Sequence, residues 1–591
     1  MTEPVAGRRR VSRRTVLLVI GAVVLVVVGL AAWVGIRALL VKDQLEAMAP
    51  MAAELQDAAA ARDLARVDSA VGQLAGRAAE ARALSGDPAW RIAEFVPVLG
   101  ANLGAARVVS AQLDEISRAV EELIPALQGA AESSNEDGGF DIDRLAELAP
   151  SVQHTSDALT GAAEALADID RGPLLSPLSD GVGRLAALTA EAAPVAESLA
   201  SAMAVLPPML GLDGERHILV MLQNSAEVRT GGGITGSFVL LRADRGTLDV
   251  VDQADGGQFA ARTEPIAPVP ESVTALYGDR VGRFVQNTSM PSDFGLTSEL
   301  VRAWWATRSD VAPDAILSVD MWAVRALLSA TGPIPLPDGS ELTADNLVQR
   351  VLVDPYLSLD VEQQTVYQRE LTSALMSGIL TKDIDPFAWA EALAGPVEQG
   401  HVALWSAHAD EAERLAEGPL GGPAARQQAA GADAFAVYFN DATSGKMGPF
   451  LDLSMSAGTA QCRPDGKREV AVSVSLANTA PPDAGTTLPW WLTGGGLEGV
   501  RPGDIATNVT VSAPPGAFFG GVRVDGERVI STDVEEAGFP SSAAAVTMAP
   551  GETRVLEFRF VMDSDRDFAP VVLHTPLIGD PEIDIVPVGC D

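Results

Sequence analysis

Twenty-two consecutive uncharged residues, Thr15–Ile36, follow the arginines Arg8, Arg9, Arg10, Arg13 and Arg14. As a helix this run spans about 33 Å, enough to cross the apolar core of a bilayer. Basic residues stand before the span and few stand after it. That asymmetry places the start in the cytoplasm and the rest outside. A cleaved signal peptide is the competing reading, but its apolar region is normally shorter, and no Ala-x-Ala-like site follows here. Ala38–Val41 and Lys42 instead continue as helix. The paired arginines raise twin-arginine export, against which a long, strongly apolar run favours plain insertion. The expectation is a basic cytoplasmic tail (1–14), then an uncleaved single-pass anchor in the plasma membrane (15–41) and an extracytoplasmic remainder.

A chain of 591 residues suggests three or four domains, and 47% hydrophobic residues suffice for sizeable cores. The formal charge of −37 excludes bulk neutralisation of phosphate, so nucleic acid is not an expected partner. Its plain reading is solubility. The basic residues include four lysines, Lys42, Lys382, Lys446 and Lys467. Outside the membrane, Cys462 and Cys590 are able to pair as a disulfide. The sequence alone does not establish that their Cα atoms are close enough.

The expected fold class is a multidomain α+β chain. From 42 to 211 it reads as an extracytoplasmic helical bundle or stalk, rich in Ala, Leu, Glu, Gln and Arg. Helices are expected at Leu103–Ala131, Ile142–Ala167 and Leu178–Ala204, and Asp43–Ser85 reads as helix without a break. From 212 to 431 strands and helices alternate, as in an α/β layered domain. Ile218–Leu222, Phe238–Leu241 and Leu248–Val251 read as strands, and a turn is expected at Arg245–Thr247. Ala315–Val319 reads as a buried strand before a helix at Met321–Ala330. Ser292 or Asp293 is placed to cap a helix at Thr297–Thr307, Glu362–Ile379 is a further amphipathic helix, and Glu417–Gly431 reads as a loop or linker. From 432 to 591 short β-branched runs between turns read as a β-sandwich. Asn440-Asp441 and Lys446–Asp452 form a polar loop near the junction.

The densest polar cluster between two strands is Asn224–Ser237, with Asn224, Glu227, Arg229 and Gly231-Gly232-Gly233. Loops at strand ends commonly carry sites. Arg229 is able to clamp a phosphate or carboxylate through two parallel hydrogen bonds, or to pair with Glu227 and brace the loop. The glycines have no following helix and read as a turn. Other chemistry is thin. The five histidines have no metal spacing, and neither a zinc-type cysteine pair, a nucleophile elbow nor a P-loop is present. Trp304-Trp305 and Trp490-Trp491 suit either stacking on sugars or core packing.

Gly214–Asn224, with Glu227, Arg229 and Gly231-Gly232, resembles the core signature of the family catalogued as domain of unknown function 4012. The similarity continues through Ser292-Asp293-Phe294, Asp314–Asp320, Thr331-Gly332-Pro333, Leu342–Asn346 and Asp354-Pro355-Tyr356. That resemblance implies a bacterial membrane protein with no settled biochemical role. More distantly, the order strand, acidic-x-Arg turn, strand, strand is similar to the LytR-CpsA-Psr family. Those are membrane-anchored, magnesium-dependent transferases that move glycopolymers from polyprenyl-pyrophosphate carriers onto the cell wall. Thr235-Gly236-Ser237 and Gln253-Ala254-Asp255 depart from that pattern, and an Arg-x-Arg pair is missing near Asp354. A metal-side carboxylate and several cations are thereby lost, and pyrophosphate chemistry needs such groups to offset charge on phosphate oxygens.

Two readings follow. One is a non-catalytic envelope protein whose degenerate transferase-like core binds an envelope glycopolymer, a lipid-linked glycan or a protein partner. The other is an active phosphotransferase that attaches glycopolymers to the cell wall. The residues expected at a ligand are Asn224, Glu227, Arg229, Gly231, Gly232, Asp293 and Arg369. No cofactor is expected, except magnesium under the second reading, and no residue is assigned a catalytic or metal-holding role.

Overall fold

The computed structural model of the chain describes residues 13–61, 63–97, 99–132, 140–336, 338–380, 386–563 and 568–586. They divide into two compact units, one within Met1–Ser133 and Arg144–Met203, the other within Ser134–Asp143 and Ala204–Asp591. The break expected between helices at Ser133–Phe140 lies, except for Phe140, outside the described residues, and so does Cys590 with its pairing to Cys462.

The first unit is helical. Its elements are α1 (Arg13–Ala60), α2 (Leu64–Ser85), α3 (Pro88–Ala93), α4 (Leu99–Glu132) and, from Arg144 and as far as Met203 respectively, most of α5 (Ile142–Ala167) and α6 (Ser176–Met209). Helix α1 is long and apolar enough to cross a membrane and continues unbroken past Lys42. Leu25, Val26, Val27, Val28, Ile36 and Leu39 on it are exposed. Beyond the apolar run α1 packs on α2, where Arg37 donates to the Leu84 carbonyl at 3.0 Å and Arg77 to Gln44 at 3.0 Å. The buried Asp114 of α4 pairs with Arg82 and Arg118. One expectation needs correcting: Asp43–Ser85 is not one helix. It breaks near Asp63, whose side chain accepts from the Arg66 backbone N–H at 3.1 Å. A short carboxylate serves better as a cap than inside a helix, and the surrounding alanines hide the signal.

The second unit begins with β1 (Arg216–Asn224), β2 (Ile234–Asp244) and β3 (Thr247–Asp255), a meander over the three expected runs. Helices α7 (Glu271–Tyr277), α8 (Arg280–Arg283) and α9 (Phe294–Trp305) follow, then β4 (Ala315–Val319) and α10 (Met321–Thr331). A small hairpin, β5 (Ile334–Pro335) and β6 (Glu341–Leu342), precedes α11 (Leu347–Leu352), α12 (Asp354–Ser358), α13 (Val361–Leu380) and α14 (Pro386–Gln399). Strand β7 (Val402–Ser406), α15 (Ala409–Ala416) and α16 (Pro423–Ala429) complete this part. The sheet order is β3-β2-β1-β4-β7. Strands β1 and β4 are parallel, and the other neighbours are antiparallel.

Both faces of this sheet are covered, which is why its central strands are continuous apolar runs rather than alternating ones. Ile218, Val220 and Leu222 of β1 join a core with Val324 and Leu328 of α10 and Leu371 and Leu375 of α13. Leu219 and Met221, on the opposite face, meet Phe238, Trp304 and Trp305. The tryptophan pair of α9 is therefore core. Asp293 caps α9 through Gly295 N at 2.8 Å and Leu296 N at 3.3 Å. The segment Glu417–Gly431 is not a linker. It contains α16, whose Arg426 and Gln427 are buried. Gln427 donates to the carbonyls of Ala434 and Ser512 at 3.0 and 3.1 Å. Its flanking glycines and prolines gave it the look of a loop, while its tertiary hydrogen bonds are invisible in the sequence.

The C-terminal part is β-rich. It comprises β8 (Ala434–Asp441), β9 (Leu451–Cys462), β10 (Lys467–Asn478), β11 (Ile505–Ser512), β12 (Phe518–Val524), β13 (Glu527–Val529), β14 (Thr532–Glu536), β15 (Phe539–Met548), β16 (Thr553–Asp563), β17 (Val571–His574) and β18 (Glu582–Val586). Among the described residues they form two sheets, ordered β13-β12-β16-β10-β9-β18 and β14-β15-β11-β8-β17. Val470, Val472, Val474, Phe558 and Phe560 of the first share one core with Phe435, Val437, Val509 and Val511 of the second.

This part and the α/β part meet at a buried carboxylate. Glu536, at the end of β14, is 1% exposed. It accepts from the Ser292 backbone N–H at 2.9 Å. Burial pushes its carboxyl up to about 7. The folded chain therefore holds a proton that the unfolded chain releases above the ordinary carboxyl range. Stability from this group is present at low pH and falls as pH rises toward 7, by roughly 3 kcal/mol across the window. The substitution Glu536→Gln keeps the acceptor oxygen and removes the titration. Thermal melts of the two proteins between pH 4.5 and 8 should converge at the acid end, with the variant the more stable at pH 8. Parallel curves would refute this assignment.

Candidate functional site

The loop 225–233 leaves the end of β1, beside the end of the parallel strand β4. The C-terminal ends of neighbouring parallel strands are a common place for ligand sites. The expected loop ran to Ser237, but β2 already begins at Ile234. Two glycines allow the close return. Gly232 has φ of +110°. A Cβ on Gly233 would stand 2.3 Å from the Asn224 carbonyl oxygen, so any larger residue there would displace backbone. Gly231 N donates to the Ser289 carbonyl at 3.0 Å, and Gly232 N to that of Arg229 at 2.8 Å.

Apart from the buried Ser225 hydroxyl, which meets no hydrogen-bond partner among the described residues, the polar side chains of this loop are engaged inside the protein. Asn224 donates to the Tyr356 hydroxyl at 2.7 Å, which also receives Gln368 at 2.7 Å. Glu227 pairs with Lys446, and both side chains are largely buried. The Lys446 ammonium lies 4.9 Å from the centre of the Tyr356 ring, within cation–π range. Burial alone would lower the Lys446 pKa, but the Glu227 carboxylate and Tyr356 outweigh it and raise the value. Burial likewise raises the Tyr356 phenol, against the pull of Lys446. Arg229 does not pair with Glu227 as one alternative had it. Its guanidinium donates to Asn287 Oδ1 at 3.0 and 3.2 Å and to the carbonyls of Val228 and Asp441 at 2.8 and 3.1 Å. Burial lowers its pKa, opposed by the charges of Asp441 and Glu227. Burial pushes the Asp441 carboxyl up to about 6, against the opposing field of Arg229. Thr230 exchanges hydrogen bonds with Asn440 at 3.0 and 3.2 Å.

Asp293 and Arg369 serve other elements. Asp293 is the cap of α9, and Arg369 of α13 pairs with Asp255 at the end of β3, 2.7 Å away. Asp252, the other acid on that strand, is held by Arg308 at 2.8 Å. Sequence reasoning missed Lys446, Asp441 and Asn440 as partners of the loop, although the polar stretch around them was visible. It also missed a sealed pair, Asp320 and His401, with oxygen and nitrogen 2.5 Å apart and side chains 1% and 6% exposed. Asp320 caps α10 through Trp322 N and Ala323 N at 2.9 and 3.2 Å. An Asp directly before a helical run is the signal that would have found it.

Next to the loop is a cleft enclosing about 390 Å³ of space open to solvent. Only about 60 Å³ of it is interior, well below the roughly 300–1,000 Å³ of sites that envelop a small molecule, so a ligand would rest across its mouth. Val228, Leu453, Leu577 and Ile578 contribute apolar patches to a mostly polar lining, in which Asp452 and Asp580 place carboxylates. Both acids are exposed. The described residues contain no cluster of three or more His, Cys, Asp or Glu side chains fit to hold a metal ion.

Comparison with known proteins gives a family match for one segment and little else. No curated protein matches the sequence. Among solved structures, the Lin1025 protein from Listeria innocua is 10% identical with a TM-score of 0.22, covering 36% of this chain and 78% of that one. Protein gbs0355 from Streptococcus agalactiae is 13% identical with a TM-score of 0.20, covering 35% and 74%. Residues 213–356, from just before β1 to Tyr356, match the model of a family described as protein of unknown function (DUF4012), so the resemblance read from the sequence holds over the stretch that builds most of this network.

Proposed function

We propose that this is a single-pass membrane protein with its bulk outside the cytoplasm, and that it binds an uncharged glycan segment of the cell envelope without transforming it. The observation that carries the non-catalytic reading is the engagement of Glu227, Arg229 and Lys446 with one another's surroundings rather than with solvent. A pyrophosphate substrate needs free cations to meet developing charge. Arg229 and Lys446 are already committed, and Arg369 is held by Asp255. The exposed apolar surface of α1 and the arginines before it support the anchor. The LytR-CpsA-Psr-like ancestry of the core belongs to this proposal.

The ligand class follows from the lining of the cleft, across whose mouth one edge of a sugar would rest. Carboxylates repel phosphate but accept from sugar hydroxyls, while apolar patches suit the C–H faces of a sugar ring. Asp452 and Asp580, both exposed, line the cleft next to Leu453 and Ile578.

Two measurements test this reading. In the first, Lys446→Met leaves Glu227 buried without its partner, and urea unfolding of the full chain should show a loss of about 3 kcal/mol. Adding Glu227→Gln should recover most of that loss. A single variant as stable as the parent would remove the structural role assigned to the pair. In the second, the full chain in nanodiscs is titrated with an uncharged envelope oligosaccharide and with a polyprenyl-pyrophosphate-linked glycan, with and without magnesium. Saturable, magnesium-independent binding of the neutral sugar is expected, weakened about ten-fold by Asp452→Ala or Asp580→Ala. Magnesium-dependent turnover of the pyrophosphate would overturn the non-catalytic reading, and no binding of the neutral sugar would overturn the ligand class.

A further inference from the structure

The corner between α3 and α4 is held against the point where α1 leaves its uncharged run. Val34 and Val41 of α1 form one core with Trp90 of α3 and Leu103 of α4, and the Trp90 indole donates to the Leu103 carbonyl at 3.0 Å. Arg37, the first charged residue after the run, pairs with Asp87 at 3.4 Å. Asp87 in turn caps α3 through Ala89 N at 2.8 Å. The level of α3 relative to the anchor is therefore fixed by packing, an ion pair and a cap.

Large apolar side chains at this corner remain outside that core. Phe95 is 89% exposed, Ile92 65%, and Val96 and Leu99 about half. Leu175 is 66% exposed. Its backbone N–H donates to Asn102 at 2.8 Å, which places it one turn along α4 from Leu99. Scattered exposed apolar residues are ordinary, whereas a cluster marks a surface that something covers. Trp33, half exposed with the Arg37 guanidinium 4.8 Å from its ring centre, stands at the same level of α1. Tryptophan and arginine are the residues that mark the boundary between acyl chains and headgroups. The exposed Arg91 beside Ile92 suits lipid phosphate.

We propose that Ile92, Phe95, Val96, Leu99 and Leu175 insert into the interfacial layer of the same bilayer that α1 spans, so that the helical unit is seated on the membrane at two points. This rests on the reading of α1 as a membrane span. The occupant is lipid, at the depth of roughly 5–10 Å that interfacial apolar groups reach. Continuity with α1 selects it: the cluster borders the residues of α1 that would leave the bilayer. A partner protein docking there would have to share that space with lipid.

Photocrosslinking of the full chain in nanodiscs tests this. Benzoylphenylalanine is incorporated in place of Phe95, in place of Val26 within the apolar run, and in place of Asp57 near the far end of α1, and adducts are read by mass spectrometry. Lipid adducts at positions 26 and 95, with none at 57, are expected. Lipid at 26 but not at 95 overturns the proposal while leaving the anchor intact. Lipid at neither overturns the anchor and the proposal with it. Protein adducts at 95 in place of lipid assign the corner to a partner chain and also overturn it.

Discussion

A lysine and a glutamate taken largely out of water hold the α/β sheet to the β-rich part. Each ion alone would cost several kcal/mol to bury. Together, with the Tyr356 ring beneath the ammonium, they are tolerable only in one arrangement. That arrangement demands that the loop after β1 reach the turn after β8, which fixes how the two parts dock. The bonds of Arg229 to the Asp441 carbonyl and of Thr230 to Asn440 repeat the same demand at neighbouring positions. The unit is specified at this seam by polar groups with few alternatives and stabilised elsewhere by large apolar cores.

The same geometry explains why a loop that looks built for a ligand faces the protein's own backbone. Its glycines let the chain return close to Asn224, and its charges are spent on carbonyls and on Lys446. What remains accessible nearby is a small, mostly polar cleft with two carboxylates, which selects against anions. The chemistry open to solvent is thus opposite in sign to the chemistry the loop's arginine first suggests.

Much of the architecture was legible because the local signals were strong. Helix α5 and strand β4 occupy Ile142–Ala167 and Ala315–Val319, as composition and turn residues indicated. The buried meander β1–β3 announced itself through apolar runs. Strand β9, LDLSMSAGTAQC, was not called because serine, glycine and alanine carry little β-propensity; pairing with β10 and β18 makes it a strand. Helix α16 was hidden by its flanking glycines and prolines. In the site, the residue types were visible on both sides of the seam, but their pairing joins positions more than two hundred residues apart. No local pattern encodes that.

Strands β17 and β18 pair in parallel with β8 and β9, each at an outer edge of its sheet. The few residues between them, Leu577–Pro581, form one wall of the cleft. A single late stretch of chain thus shields two open strand edges, each a template for aggregation if left bare. It also finishes the cleft. Contacts this distant in sequence are slow to form. A folding intermediate with both sheets assembled but this stretch undocked would therefore be sticky and without its cleft, so closure of the cleft would report that folding is complete.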